Sequence, residues 1–291
     1  MKKLIAILLV ICTMFAFAAC SKNETAGTSG EATASDFDYI KEKGVMTIGV
    51  TNYPPMNYLD DNNEWTGFDT EFAQAVGEQL GIDVEFIEIS WEAKETELAS
   101  KNIDVLWNGM CITEDRKEMW EVTKPYMYNT QAMVMKADKE AEIMADISGK
   151  NVVAEAGSTG EEKITGVIDD SADDTVKVMA KDYFADAKYT GVDSMATALM
   201  DVQQGVADVA VVDSVIAQGM IESEGSSFKD LVINLDNKFG DQYFGIAFRK
   251  GSDMCEKVNE AIAELTENGK LNEIAEKYGL ADGIAAAADA Q

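Results

Sequence analysis

The chain has 291 residues, of which 53 are acidic, 24 are Lys or Arg and none is His, giving a formal charge of −29. So acidic a chain repels nucleic acid and anionic surfaces, which argues against nucleic-acid binding. Without histidine the Ser–His and Cys–His nucleophile pairs cannot be built, and the commonest transition-metal ligand is missing.

The first residues, Met1-Lys2-Lys3, lead into a nearly unbroken apolar run from Leu4 to Phe17 and then Ala18-Ala19-Cys20. A basic start, a short apolar stretch and small residues before a cleavage point mark a secretory signal peptide, here residues 1–19. The run is too short for a transmembrane helix, which needs about 20 apolar residues. Cys20 makes the segment resemble a bacterial lipobox, with Phe17 where that motif more often has Leu. The resemblance implies a diacylated Cys20; an ordinary signal peptide with an incidental cysteine is the alternative. Ser21 to Ser35 are small and polar with nothing apolar to bury, so residues 20–35 read as a lipidated cysteine and flexible tether. The chain beyond the tether is long enough for one large or two modest domains.

Strand-like and helix-like segments then alternate. Val45 to Val50 is a β-rich run, and Phe68, Phe72, Val76 and Leu80 mark one stripe of a helix over 68–80. Val84 to Ile89 alternates with period two. Ile103 to Trp107, Asn151 to Ala154 and Val206 to Val212 are short buried-strand runs, each followed by a helix-like stretch. Tyr243 to Phe248 is a further strand. Met254, Val258, Ile262 and Leu265 mark a helix, and Leu271, Ile274 and Tyr278 a shorter one beyond the Asn268-Gly269 break. This alternation predicts βαβ units on parallel sheets. The oxygen-rich Asp60 to Glu64 has Trp65 where a calcium loop needs glycine, and reads as a solvated turn. The Ala-rich tail from Gly283 reads as frayed. With Cys12 in the signal and Cys20 acylated, Cys111 and Cys255 remain, and no C-x-x-C spacing suggests zinc. Two free buried thiols are expected.

No P-loop, G-x-S-x-G, H-E-x-x-H or dinucleotide fingerprint is present. Binding chemistry reads better, because three strand-to-helix junctions carry complementary groups. Ile103 to Lys117 is an apolar strand, a glycine and a polar turn with Arg116, a residue suited to bidentate carboxylate recognition. Taken alone, an Arg in a polar stretch such as Arg116 reads as a surface residue rather than a ligand clamp. Ala154 to Glu162 opens a helix with Gly157-Ser158-Thr159-Gly160, an anion site or an ordinary N-cap. Asp213 ends the run VAVVD, either as a buried anion or as a cap for the next helix.

In order along the chain, these segments form a pattern. The strand MTIGV is followed by Tyr53-Pro54-Pro55-Met56 and Trp65-Thr66-Gly67-Phe68-Asp69; then come IDVLWNGMCITEDR, the stretch from Gly149 to Thr159, and YFGIAFRKG from Tyr243. From about Asp36 to Leu280 the chain resembles the extracytoplasmic amino-acid-binding components of ABC importers, the polar-amino-acid family. That resemblance implies an α/β fold of the type II periplasmic-binding-protein kind. Its two lobes would be joined by two hinge crossovers, with a ligand in the cleft. Lobe 1 would use 36–129 and 236–284, lobe 2 130–235, and 285–291 would be a disordered tail. Pro125 to Tyr128 and Leu231 to Leu235 fall where the crossovers should be. It further implies that Arg116 clamps the ligand carboxylate, helped by the backbone of Gly109 and Cys111 and by Ser158 and Thr159. Asp213 would accept the ammonium, Tyr53 and Trp91 would sandwich the side chain, and Asn108 with the segment Trp91 to Glu97 would shape the pocket. Cys111 stands where the family commonly has a hydroxyl, and Glu155 is open between lining the pocket and facing solvent.

The expected protein is thus a lipid-anchored, monomeric receptor on the extracytoplasmic face of the membrane. It would bind a polar or charged amino acid and deliver it to permease subunits, with no cofactor, no metal and no catalysis. A sensory lipoprotein feeding a signalling partner and a dehydratase-like enzyme on the same fold are the alternatives.

Overall fold

The computed structural model describes residues 35–166, 182–222, 226–235 and 239–289, so the signal segment, Cys20 and the tether up to residue 34 lie outside it. In chain order the elements are α1 (Asp36–Lys43), β1 (Val45–Val50), β2 (Tyr58–Leu59), β3 (Trp65–Thr66), α2 (Phe68–Leu80), β4 (Asp83–Glu88), α3 (Lys94–Ala99), β5 (Val105–Cys111), α4 (Glu114–Met119), β6 (Trp120–Val122) and β7 (Met127–Lys136). They continue with α5 (Glu140–Ala145), β8 (Asn151–Glu155), α6 (Thr159–Thr165), β9 (Lys188–Val192), α7 (Met195–Gln204), β10 (Val209–Asp213), α8 (Ser214–Ile221), β11 (Leu231–Asn234), β12 (Asp241–Arg249), α9 (Met254–Glu267), α10 (Lys270–Lys277) and α11 (Ala281–Asp289).

Ser35, which composition assigns to the tether, belongs to the fold. Its Oγ accepts the Asp38 N–H at 2.9 Å, capping α1, and donates to Asp253 Oδ2 at 2.6 Å. The predicted stripe of α2 buries Phe68, Phe72 and Val76, four residues apart, and Gly81 in the left-handed region stops the helix.

The strands run in the order β4-β1-β5-β12-β7-β10-β8-β9, with β6 on β12 and β11 on β7. Two groups within this order are parallel, β4-β1-β5 and β10-β8-β9. Between them β12 and β7 run antiparallel to their neighbours, so the sheet is mixed where alternation alone predicts parallel strands. Residues Met127 to Thr130 of β7 pair with Phe244 to Asp241 of β12, and from Gln131 onward β7 pairs with β10 instead. The change of partner between Thr130 and Gln131 marks the junction of the two halves. Leu231 to Asn234 is not a crossing segment but an edge strand paired with the far end of β7.

Both faces of the central strands are covered. On β10, Val209 and Val211 enter a cluster with Met133, Ile164 and Phe184, while Ala210 and Val212 enter the main core on the other face. Trp91, Leu98, Ile103, Leu106 and Trp120 form a separate cluster.

Three further expectations are corrected or refined. As far as Asp289 the Ala-rich tail is helical as α11 and packs on β7, with Ala287 buried and Ile284 against the core; alanine is the best helix former, and these contacts hold it. Cys111 is a free buried thiol as expected, but Cys255 on α9 is half-buried. Asp60 to Glu64 is the turn between β2 and β3, where Asp60 Oδ1 accepts the N–H groups of Asn62 and Glu64 at 2.8 and 2.9 Å. Among the described residues no helix is long and apolar enough to cross a membrane.

Candidate functional site

One cavity gathers all nine residues predicted to bind ligand. Its wall is Tyr53, Trp91, Asn108, Gly109, Cys111 and Arg116 from one half, and Glu155, Ser158, Thr159, Met195 and Asp213 from the other, around a narrow space of about 10 Å³. Cys111, Glu155 and Asp213 are the last residues of β5, β8 and β10. Loops beyond the carboxyl ends of strands are where α/β folds place ligands, because side chains there escape the packed layers.

Arg116 is buried, at 4 % exposure, rather than on the surface. Thr113 caps α4 by accepting the Arg116 N–H at 3.2 Å, which points the arginine side chain back over the strand end. Its Nη1 donates to the Cys111 carbonyl at 2.9 Å, while Nη2 approaches the Gly157 carbonyl and Glu162 Oε1, each at 3.5 Å. The guanidinium therefore touches both halves. Ser158 does cap α6, accepting the Glu161 N–H at 3.3 Å, and Thr159 is the first residue of that helix.

Asp213 precedes α8 but makes no capping bond with its side chain. Its carboxylate instead accepts the Tyr53 hydroxyl at 3.0 Å, Asn129 Nδ2 at 2.6 Å and the Gln131 amide. Burial pushes its pKa up, against the hydrogen bonds from Asn129, Tyr53 and Gln131 and the charge of Arg116. Neither Asn129 nor Gln131 stands out in the sequence. Asn129-Thr130-Gln131 is an unbroken polar run in YNTQAMV and gives no period-two signal; it is the register of β7, which pairs Gln131 directly with Asp213, that brings them to the site. The Gln131 amide also reaches Thr159 Oγ1 at 2.9 Å and Gln242 Oε1 at 2.8 Å. Cys111 Sγ lies 3.7 Å from Asp213 Oδ1, and burial together with that neighbouring charge pushes its thiol pKa up.

Glu155 is inside, 5 % exposed, and its Oε1 meets no hydrogen-bond partner among the described residues. Burial raises its pKa to about 8, helped by the Asp213 charge and opposed by Lys94 and Arg116. Lys94 reaches across the junction, donating to the carbonyls of Trp91 at 3.2 Å and Gly157 at 3.0 Å, and lies 5.2 Å from the Trp91 ring centroid. Burial, with Arg116 nearby, lowers its pKa to about 8. Nothing in the local sequence of Lys94 announces that crossing role.

One implied role changes. The Gly109 N–H donates to Asp69 Oδ2 at 2.8 Å, so it is engaged inside the fold rather than offered to the cavity. What Gly109 contributes is space: its φ is 57°, and a Cβ there would stand 2.4 Å from Tyr53 Cε1. The Asn108 amide is likewise tied to Thr51 (2.9 and 2.7 Å) and Asn57 (3.0 Å), so Asn108 shapes the wall with its polar groups already bonded. Trp91 belongs both to the wall and to the packed cluster beneath it.

The sequence model for bacterial extracellular solute-binding proteins, family 3, matches residues 46–281. The chain belongs to this family. Among its relatives are two proteins of Bacillus subtilis strain 168. The L-cystine-binding protein TcyA is 30 % identical over 283 residues, spanning 96 % of this chain and 97 % of that one. The arginine-binding extracellular protein ArtP is 27 % identical over 278 residues, spanning 96 % and 98 %. The solute-binding fold also matches a substrate-binding protein of an ABC uptake transporter from Streptococcus pneumoniae with bound histidine. That match has a TM-score of 0.74 and 28 % identity, over 84 % of this chain and 96 % of that chain.

Proposed function

We propose that this solute-binding protein is the substrate-binding component of an amino-acid ABC importer, holding a polar or charged amino acid between two lobes and presenting it to permease subunits. The observation that carries the reading is the pairing of a buried guanidinium, Arg116, with a buried carboxylate, Asp213, in the wall of one cavity. A zwitterion needs both. Arg116 takes the α-carboxylate with the hydroxyls and amides around Ser158 and Thr159, Asp213 takes the α-ammonium, and Tyr53 and Trp91 cover the side chain. The amino-acid-binding relatives support the same assignment.

Lobe 1 comprises 36–129 with the chain from about 236 onward, and lobe 2 comprises 130–235. The paired segments of β7 and β12 act as the hinge. The bonds Tyr53–Asp213, Lys94–Gly157 and Arg116–Gly157 then belong to the closed form. Cys20 carries the lipid anchor, supported by the basic start, the apolar run and the small residues before it. The receptor works as a monomer without turnover of its ligand. Micromolar affinity, about −8 kcal/mol, suffices for capture.

A thermal-shift screen against the twenty amino acids, cystine and ornithine tests this reading. A ligand at a thousandfold excess over its Kd stabilises by about 4 kcal/mol, so one or a few compounds should raise Tm clearly. A screen with no responder would refute the amino-acid assignment.

A further inference from the structure

Once Arg116 and Asp213 are assigned to the carboxylate and ammonium that all amino acids share, Glu155 remains as the acidic group of the wall with no role. It ends β8, it is 5 % exposed, and its Oε1 is unbonded among the described residues. The charged groups facing it are committed elsewhere. Lys94 of α3 donates to the Trp91 and Gly157 carbonyls, Arg116 of α4 to the Cys111 and Gly157 carbonyls, and Asp213 of β10 accepts Tyr53, Asn129 and Gln131. A carboxyl oxygen buried without a partner is costly, and a donor arriving in the cavity relieves that cost.

We propose that Glu155 sets the substrate class, its free oxygen receiving a cationic nitrogen, ammonium or guanidinium, at the end of the ligand's side chain. The inference rests on the amino-acid reading of this cavity. Bond strength favours a cation over a neutral amide or hydroxyl, because a hydrogen bond between ionised partners is about twice as strong as one between neutral groups. The charges already facing Glu155, those of Lys94, Arg116 and Asp213, do not supply that bond, since each is committed to other partners.

The test is calorimetric titration of the full chain and of Glu155→Gln, at pH 7. The probes are L-arginine, L-lysine and L-ornithine, with L-citrulline and L-glutamine as neutral counterparts. A hydrogen bond to a charged partner predicts that the tightest basic ligand binds roughly 10- to 100-fold better than its neutral counterpart. Glu155→Gln brings that ratio close to one. The unsubstituted protein gives a second readout. Glu155 titrates at about 8, so a cationic ligand releases a proton at pH 7, and its affinity rises with pH before levelling above about 8. Lys94 and Asp213 face the same space and contribute to that slope; the share lost in Glu155→Gln belongs to Glu155. Should the variant fail to fold, the wild-type ratio and proton release still decide. A neutral amino acid bound as tightly as the basic ones, or a ratio unmoved by Glu155→Gln, overturns the inference while leaving amino-acid binding intact. Failure of every amino acid to bind overturns both.

Discussion

Arg116→Ala is expected to weaken amino-acid binding by roughly 100- to 4,000-fold, with a smaller effect on the unliganded fold. Removing one partner of a buried, hydrogen-bonded charge pair costs about 3–5 kcal/mol, because the ligand carboxylate would enter the cavity without its counter-charge. In the unliganded protein the same side chain serves two carbonyls and Glu162, whose contacts are at 2.9 and 3.5 Å, so less is lost there. Arg116→Lys keeps the charge but loses the planar fork, and should fall between the two. Titration of the three proteins with the best ligand from the screen checks this. Equal affinities would remove Arg116 from the binding role.

Gly109→Ala is expected to harm both stability and binding. Alanine at φ 57° is strained by about 1–3 kcal/mol, and its methyl would overlap Tyr53 Cε1 at 2.4 Å and crowd Phe244 Cε2 at 3.2 Å. The Tyr53 ring cannot simply swing aside, since its hydroxyl is bonded to Asp213 and its edge packs on Phe244 with ring centroids 6.3 Å apart. Overpacking adds about 1–3 kcal/mol more. A Tm lowered by several degrees, together with ligand affinity reduced because Tyr53 is displaced, is the expected result of denaturation and titration. An unchanged Tm would show that the Tyr53 side of the wall is more yielding than its bonds suggest.

The parts of the fold written most plainly in the sequence are those with a regular pattern of burial. VMTIGV and VAVVD read as strands because neither face of either strand meets water, and the stripe from Phe68 to Val76 reads as a helix because one face is buried at a spacing of four while Gln74 and Glu78 are exposed. Boundaries are less legible where polarity and burial part company. Val206, placed in a strand by its apolar side chain, is 63 % exposed in the loop before β10. Conversely β5 runs on past Trp107 through Asn108 and Gly109, because Thr51, Asn57 and Asp69 supply partners for their polar groups. The antiparallel placing of β7 and β12 depends on pairing between residues more than a hundred positions apart, which local periodicity does not record.

The site divides in the same way. Arg116 and Asp213 are legible from their strand-to-helix junctions and from the order of motifs. Asn129 and Gln131 are not, because an amide in a strand becomes meaningful only once register sets it opposite Asp213. The diversion of the Gly109 N–H to Asp69, 40 residues earlier, cannot be read from either residue alone. Glu155 is legible as a strand end, but which way it faces follows only from the packing of β8 between β10 and β9.

The most direct test of amino-acid capture by Arg116 and Asp213 is a crystal structure of the protein with the amino acid that gives the largest thermal shift. The expected result is a ligand between the lobes, its α-carboxylate on the Arg116 guanidinium and its α-ammonium on Asp213, each at charge-assisted hydrogen-bond distances of about 2.7–2.9 Å. A ligand bound elsewhere, or in this cavity with its backbone groups on other residues, would contradict it.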